Sequence, residues 1–148
     1  MTTSDAADGL VVRLEKLPVA LVLRAQEHID ELVRELQIIT IGVQMATTDG
    51  PPAGRLGALV TEALDRLETV RALTRQQVRA AADDGRETVA LEITVPRRAA
   101  GDISALMDLL DEADRLCDEG ELLTLASPPD VRAFRRRVAD QVLRQLEA

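Results

Sequence analysis

Aromatic residues are all but missing from this chain: among its 148 residues Phe134 stands alone, with no tryptophan and no tyrosine. That absence removes the flat platforms on which single-stranded nucleic acids stack their bases. It also leaves the core to Leu, Val, Ile and Ala, whose shapes suit helix-on-helix packing. Cysteine occurs once, at Cys117, which excludes an internal disulfide and a cysteine-rich metal site. Histidine occurs once, at His28, so neither a His-pair metal site nor a two-histidine relay can be built. Lysine is confined to Lys16, every other basic residue being arginine; a coding bias explains this before phosphate recognition does. Positive charge is in deficit: the formal net charge of −8 disfavours duplex phosphates and anionic membranes as partners. No apolar run approaches the ~20 residues that span a bilayer. The polar, acidic residues 1–9 do not read as a signal peptide. The expectation is a cytoplasmic protein with no nucleic-acid or membrane partner.

What is present reads as folded. An apolar fraction of 46% with 30% charged residues belongs to a globular chain, and its length suits one domain. Residues 1–9 read as a flexible tail and 10–148 as a single globular domain. Residues 10–15 (LVVRLE) have strand character, and Pro18 fits the first turn of a helix. Val22, Ala25, Ile29, Leu32, Leu36, Ile39 and Val43 then recur in steps of three and four, one helical seam. Residues 47–54 (TTDGPPAG) break it. Leu56, Val60, Ala63, Leu67 and Val70 open a second seam that continues to residue 82, where Gly85 is placed to terminate it. The period changes at residues 87–95, where Val89, Leu91, Ile93 and Val95 alternate with Thr88, Ala90, Glu92 and Thr94, and Pro96 closes a half-buried strand. A third helix, capped by Asp102, carries Ile103, Leu106, Leu110, Ala113 and Cys117, and Gly120 ends it. Residues 121–126 form a strand or a buried link. Ser127-Pro128-Pro129-Asp130 reads as a helix start with serine as cap, followed by Val131, Phe134, Val138, Val142 and Leu146. The expected fold is α+β and mainly helical, β-α-α-β-α-α, with a long antiparallel helical hairpin and two or three short strands.

Few residues offer chemistry. His28, in the acidic run Gln26-Glu27-His28-Ile29-Asp30-Glu31, is the candidate phosphoacceptor, an exposed imidazole being able to take a phosphoryl group; a surface histidine held by its acidic neighbours is the plainer account. Cys117 on an inner seam reads as a small hydrophobe. Asp108, Asp111, Glu112, Asp114, Asp118 and Glu119 read as a solvated helix face paired with Arg115 rather than a metal site. Arg132, Arg135, Arg136 and Arg137, with Arg144, form the largest basic cluster and the candidate partner-binding surface, although Asp130, Asp140 and Glu147 accompany them. The glycines form no phosphate-binding loop and no G-x-S-x-G elbow is present. No cofactor and no metal are expected.

Residues 17–36 (LPVALVLRAQEHIDELVREL) and 109–146 (LLDEADRLCDEGELLTLASPPDVRAFRRRVADQVLRQL) resemble a group of small actinobacterial proteins found beside partner-switching modules. Those modules combine RsbW-type anti-sigma kinases, STAS-domain antagonists and SpoIIE-like phosphatases. A GHKL-type kinase domain needs an asparagine for magnesium and an Asp-x-Gly-x-Gly motif for adenine. This chain has no asparagine, and its Asp-Gly pairs do not continue into that motif. The resemblance therefore implies a non-catalytic, regulatory protein–protein interaction module, with an anti-sigma kinase, antagonist or phosphatase as partner; a homodimer is the expected assembly, the long first seam being the candidate for self-association. Two alternatives stand beside it: a histidine phosphotransfer protein using His28, and a small-molecule-binding domain with an aliphatic pocket between helices and sheet.

Overall fold

The computed structural model describes residues 9–46, 52–120, 122 and 126–147. The first strand, β1 (Gly9–Pro18), is followed by three helices, α1 (Val19–Ala46), α2 (Pro52–Arg66) and α3 (Glu68–Asp83). Then come β2 (Thr88–Pro96), α4 (Ala99–Asp118) and α5 (Pro129–Glu147). The mainly helical α+β class is as expected, but the order gains a helix. No helix among the described residues is long and apolar enough to cross a membrane.

The extra helix arises because the second seam is interrupted at Leu67, whose backbone (φ −101°, ψ 11°) leaves the helical region. Its N–H turns back to the carbonyl of Leu64 at 3.1 Å, a tight last turn, and its own carbonyl accepts from Arg71 to start α3. Neither glycine nor proline marks the break. Tertiary packing accounts for it: α2 lies against α1 and α4, whereas α3 lies against β2 and α1, and the two barely touch each other. Leu67 remains buried, so the apolar spacing runs unbroken across the bend.

The strands pair antiparallel, Leu10 opposite Val95, Val12 opposite Ile93 and Leu14 opposite Leu91. Val89, Leu91, Ile93 and Val95 all point inward, as their alternation requires. β1 keeps the same face inward only by a bulge between Leu14 and Leu17. Lys16 takes the left-handed φ of 56° there, which lets Leu14 and Leu17 both reach the core. Pro18 is therefore the last strand residue and not part of the helix. Gly9, expected in the tail, pairs with Pro96.

Both outer edges of this two-stranded sheet are closed by a glutamine side chain. Gln145 of α5 accepts from the N–H of Arg13 and donates to its carbonyl, each at 2.9 Å. Gln77 of α3 does the same for Glu92, donating to its carbonyl at 2.9 Å and accepting from its N–H at 3.1 Å. Arg13 and Glu92 face each other in the ladder, so one row of amides crosses the sheet with a side chain standing in for a strand at either end. This satisfies the outward amides of Arg13 and Glu92, one pair of the edge groups that would otherwise invite another chain. A third strand at residues 121–126 falls mainly outside the described residues, although Leu122 is buried.

Two helix ends differ in their start. α4 begins at Ala99, and Asp102 lies in its first turn rather than at the cap, pairing with Arg66 at 3.5 Å. α5 begins one residue later than expected: the carbonyl of Pro128 accepts from Arg132 at 3.0 Å, which puts Pro129 at the first helical position and frees Ser127 from capping. The stops are as expected. Gly85 (φ 72°) closes α3 with the two bonds of a Schellman turn, Gly85 N–H to Ala82 and Arg86 N–H to Ala81, both at 3.0 Å.

Candidate functional site

The inner face of the sheet does not pack solidly on its helices. Between it and α1, α3, α4 and α5 lies a cavity of about 230 Å³. Its walls are aliphatic: Val12, Leu14, Leu91 and Ile93 from the strands, Ile29 from α1, Val70 from α3, Leu106 and Met107 from α4, and Val138 and Val142 beside Phe134 from α5. These are the seam residues of the sequence, several of them only half-buried because the seams do not close on one another. Among the described residues four polar side chains join the lining: Gln26, Arg71, Thr74 and Arg135.

Arg135 and Thr74 are already engaged. Thr74 donates its hydroxyl to the carbonyl of Val70 at 2.8 Å. Arg135, buried in α5, donates to Asp114 Oδ2 and to Ser127 Oγ, each at 3.0 Å. Asp114 is fully buried on α4 and accepts both the N–H and the hydroxyl of Ser127 at 2.9 Å. Arg132 stands 3.4 Å from the same carboxylate. The Ser127 hydroxyl thus donates to Asp114 and accepts from Arg135, and its remaining lone pair faces His28 Nδ1 at 3.2 Å. Burial pushes the Asp114 carboxyl up, but hydrogen bonds from the Ser127 backbone, Arg135 and the Ser127 hydroxyl outweigh it and hold the group below the usual carboxylate range.

This knot contains serine, histidine and aspartate without being a nucleophilic triad. A triad places the imidazole between hydroxyl and carboxylate so that it can take the hydroxyl proton. Here the serine stands in the middle, buried, with its proton directed at Asp114. Asp114 also corrects the sequence reading, which put it on the solvated acidic face. The rest of that face behaves as expected: Glu112 pairs with Arg115, which reaches Glu119 at 2.7 Å. Among the described residues no His, Cys, Asp and Glu side chains group in a way that would hold a metal ion.

The structure brings His28, Arg132 and Arg135 together around Asp114 and Ser127 and leaves the other candidates apart. His28 is half-buried against Ser127. Of the arginine cluster, Arg135 is inside the protein, Arg136 pairs with Asp111, and Arg137 lies over the Phe134 ring at 5.7 Å. Cys117 is half-buried, and its thiol is pushed up to about 11 by burial and by the carboxylates of Asp114, Glu35 and Asp118.

Two hollows that sequence reasoning did not anticipate open beside α1, one against α3 and one against α2 and α3. A groove of about 460 Å³ runs past Leu23, Gln26, Glu27, Asp30, Glu31, Arg34, Arg75 and Arg79. A second hollow of about 270 Å³ adjoins it along Asp30, Val33, Arg34, Asp65, Arg71 and Arg75. Gln26 lines both the groove and the aliphatic cavity, and Arg71 both the hollow and the cavity. Arg71 stands 3.7 Å from Asp30 and from Glu68, beyond hydrogen-bonding distance. Burial, then the neighbouring Arg75, lowers its pKa from the ordinary arginine value despite those carboxylates. The available signal was local: Arg71 follows the seam residue Leu67 by four positions, so its stem starts beside the apolar stripe. Compared with protein families, with curated proteins and with solved structures, the chain matches none.

Proposed function

We propose that this chain is a non-catalytic regulatory binding domain of bacterial signalling, which takes an apolar small molecule between its sheet and its helices. The observation that carries this reading is the cavity of about 230 Å³ in a core made almost wholly of aliphatic side chains. The half-buried lining leaves the space open to an entering molecule, and apolar cavities of ~150 Å³ take a molecule the size of benzene. The non-catalytic part is supported by the full set of partners on the Ser127 hydroxyl and by the raised thiol of Cys117.

The test is methyl NMR with benzene as probe. Saturable shifts at Met107, Val138 and Val142, with a rise in melting temperature, are expected for the wild type, and their loss in Ala139→Phe, which fills the space. An unresponsive wild type would sink the reading.

A second reading concerns the output. The α1–α3 groove has an exposed apolar edge at Leu23 and charged rims in Glu27, Glu31, Arg34 and Arg79, which suits a docked helix. An anti-sigma kinase, STAS antagonist or phosphatase is the partner proposed for it, and a homodimer the proposed assembly. Arg34→Glu with Arg79→Glu is expected to weaken binding to the purified partner at least tenfold, while light scattering reports the oligomer. A phosphoacceptor role for His28 has less behind it, since Nδ1 faces the Ser127 hydroxyl.

A further inference from the structure

The cavity has a chemically distinct end. Of its four polar lining residues, Thr74 and Arg135 are held by bonds within the protein. The side chains of Gln26 and Arg71 make no hydrogen bond among the described residues, and both lie where the aliphatic space meets the polar hollows beside α1. Resting on the cavity reading above, the geometry points to a ligand with two parts: a saturated, unbranched alkyl chain inside and a carboxylate at Arg71.

Clustered guanidiniums and size favour this class. In the hollow beside the cavity Arg34, Arg71 and Arg75 are grouped with the carboxylates of Asp30 and Asp65, and Glu68 stands 3.7 Å from Arg71, so a ligand carboxylate would exchange with carboxylates already there. Arg71 and Arg75 repel each other, and an anion between them relieves that repulsion. The ion pairs of Arg71 with Asp30 and Glu68, both at 3.7 Å, are loose enough to be exchanged for a bidentate carboxylate. The Gln26 amide supplies a further donor. A cavity of about 230 Å³ is roughly half again the ~150 Å³ that holds benzene, room for a chain of about eight carbons. Arg135, which lines the same space, does not compete, because Asp114 already neutralises it at 3.0 Å.

Calorimetry with octanoate and 1-octanol on wild type, Arg71→Gln and Arg71→Lys tests the assignment. Saturable octanoate binding is expected, weakened at least tenfold by Arg71→Gln and less by Arg71→Lys, with 1-octanol binding wild type and Arg71→Gln alike. Circular dichroism confirms that the variants are folded. If 1-octanol binds but octanoate does not, or if octanoate ignores Arg71→Gln, the head-group assignment is overturned while the cavity reading survives. If neither compound binds the wild type, both are overturned.

Discussion

Asp114→Asn is the sharpest perturbation of the buried polar knot. The amide keeps the shape and one oxygen, so both bonds from Ser127 are retained, but its NH₂ is set against the Arg135 guanidinium. The wild-type carboxylate takes that guanidinium at 3.0 Å with both side chains out of water. Removing one partner of a buried ion pair costs ~3–5 kcal/mol because the other charge is stranded. Arg135 still donates to Ser127 Oγ and stands 3.8 Å from Asp111, which places the loss at the lower end, about 3 kcal/mol. For a chain of this size that is a fall of about 6–12 °C in melting temperature. The pH dependence has a definite sign. The carboxyl is held below its usual range in the folded protein, so its contribution is complete above an unfolded-state pKa of ~3.9 and is lost as pH falls through the depressed folded value. Urea titrations from pH 7 to pH 3 should show a constant gap between wild type and variant down to about pH 4, closing only below it. A gap under ~1 kcal/mol at pH 7, or one that already closes between pH 7 and 5, would refute the reasoning.

Three other outcomes follow from the structure. Lys16→Gly relieves a left-handed backbone in the β1 bulge and should raise unfolding free energy by about 1 kcal/mol in chemical denaturation, a destabilised variant counting against the bulge. Gln77→Leu and Gln145→Leu each remove two edge bonds; about 1 kcal/mol of stability should go with either, and the double variant should associate at concentrations where wild type scatters no light. Cys117, with its thiol at about 11, should react with iodoacetamide far more slowly than free cysteine at pH 8 and accelerate steadily toward pH 11; rapid labelling at pH 8 would show an accessible thiolate.

The elements read from period alone are the ones the structure reproduces. Alternation at Val89 to Val95 gives β2, and the three-and-four spacing from Val22 to Leu36 gives the buried stripe of α1, because each pattern records which side chains face the core. What the spacing does not encode is where the axis bends. Leu67 is a seam residue of both α2 and α3, and the break there answers to different partners on either side of it. Chain-local rules also misplaced Ser127: its position before two prolines suits a cap, but a buried carboxylate 13 residues earlier binds it instead. Asp114 itself follows Leu110 by one helical turn, so its place on the inner face was legible; its acidic neighbours concealed it. The candidate site was less readable than the fold. Gln26 and Arg71 lie 45 positions apart and acquire a common meaning only where α1 and α3 meet.

A core of Leu, Val, Ile and Ala has a weakness that the knot answers. Such side chains substitute for one another at small cost, and cores of this kind lose uniqueness before they lose stability. Area alone does not choose the register of α4 and α5. Asp114, Ser127 and Arg135 do, since a slip of one turn in either helix separates the carboxylate from its donors and leaves a charge without a partner. The knot then serves uniqueness more than stability, and the two roles come apart in Asp114→Leu with Arg135→Met. Replacing both partners by apolar groups should restore much of the stability lost in Asp114→Asn. If the knot selects the register, the amide spectrum of that double variant will nonetheless broaden around α4 and α5. Sharp, wild-type-like resonances would mean that the aliphatic packing selects the register by itself.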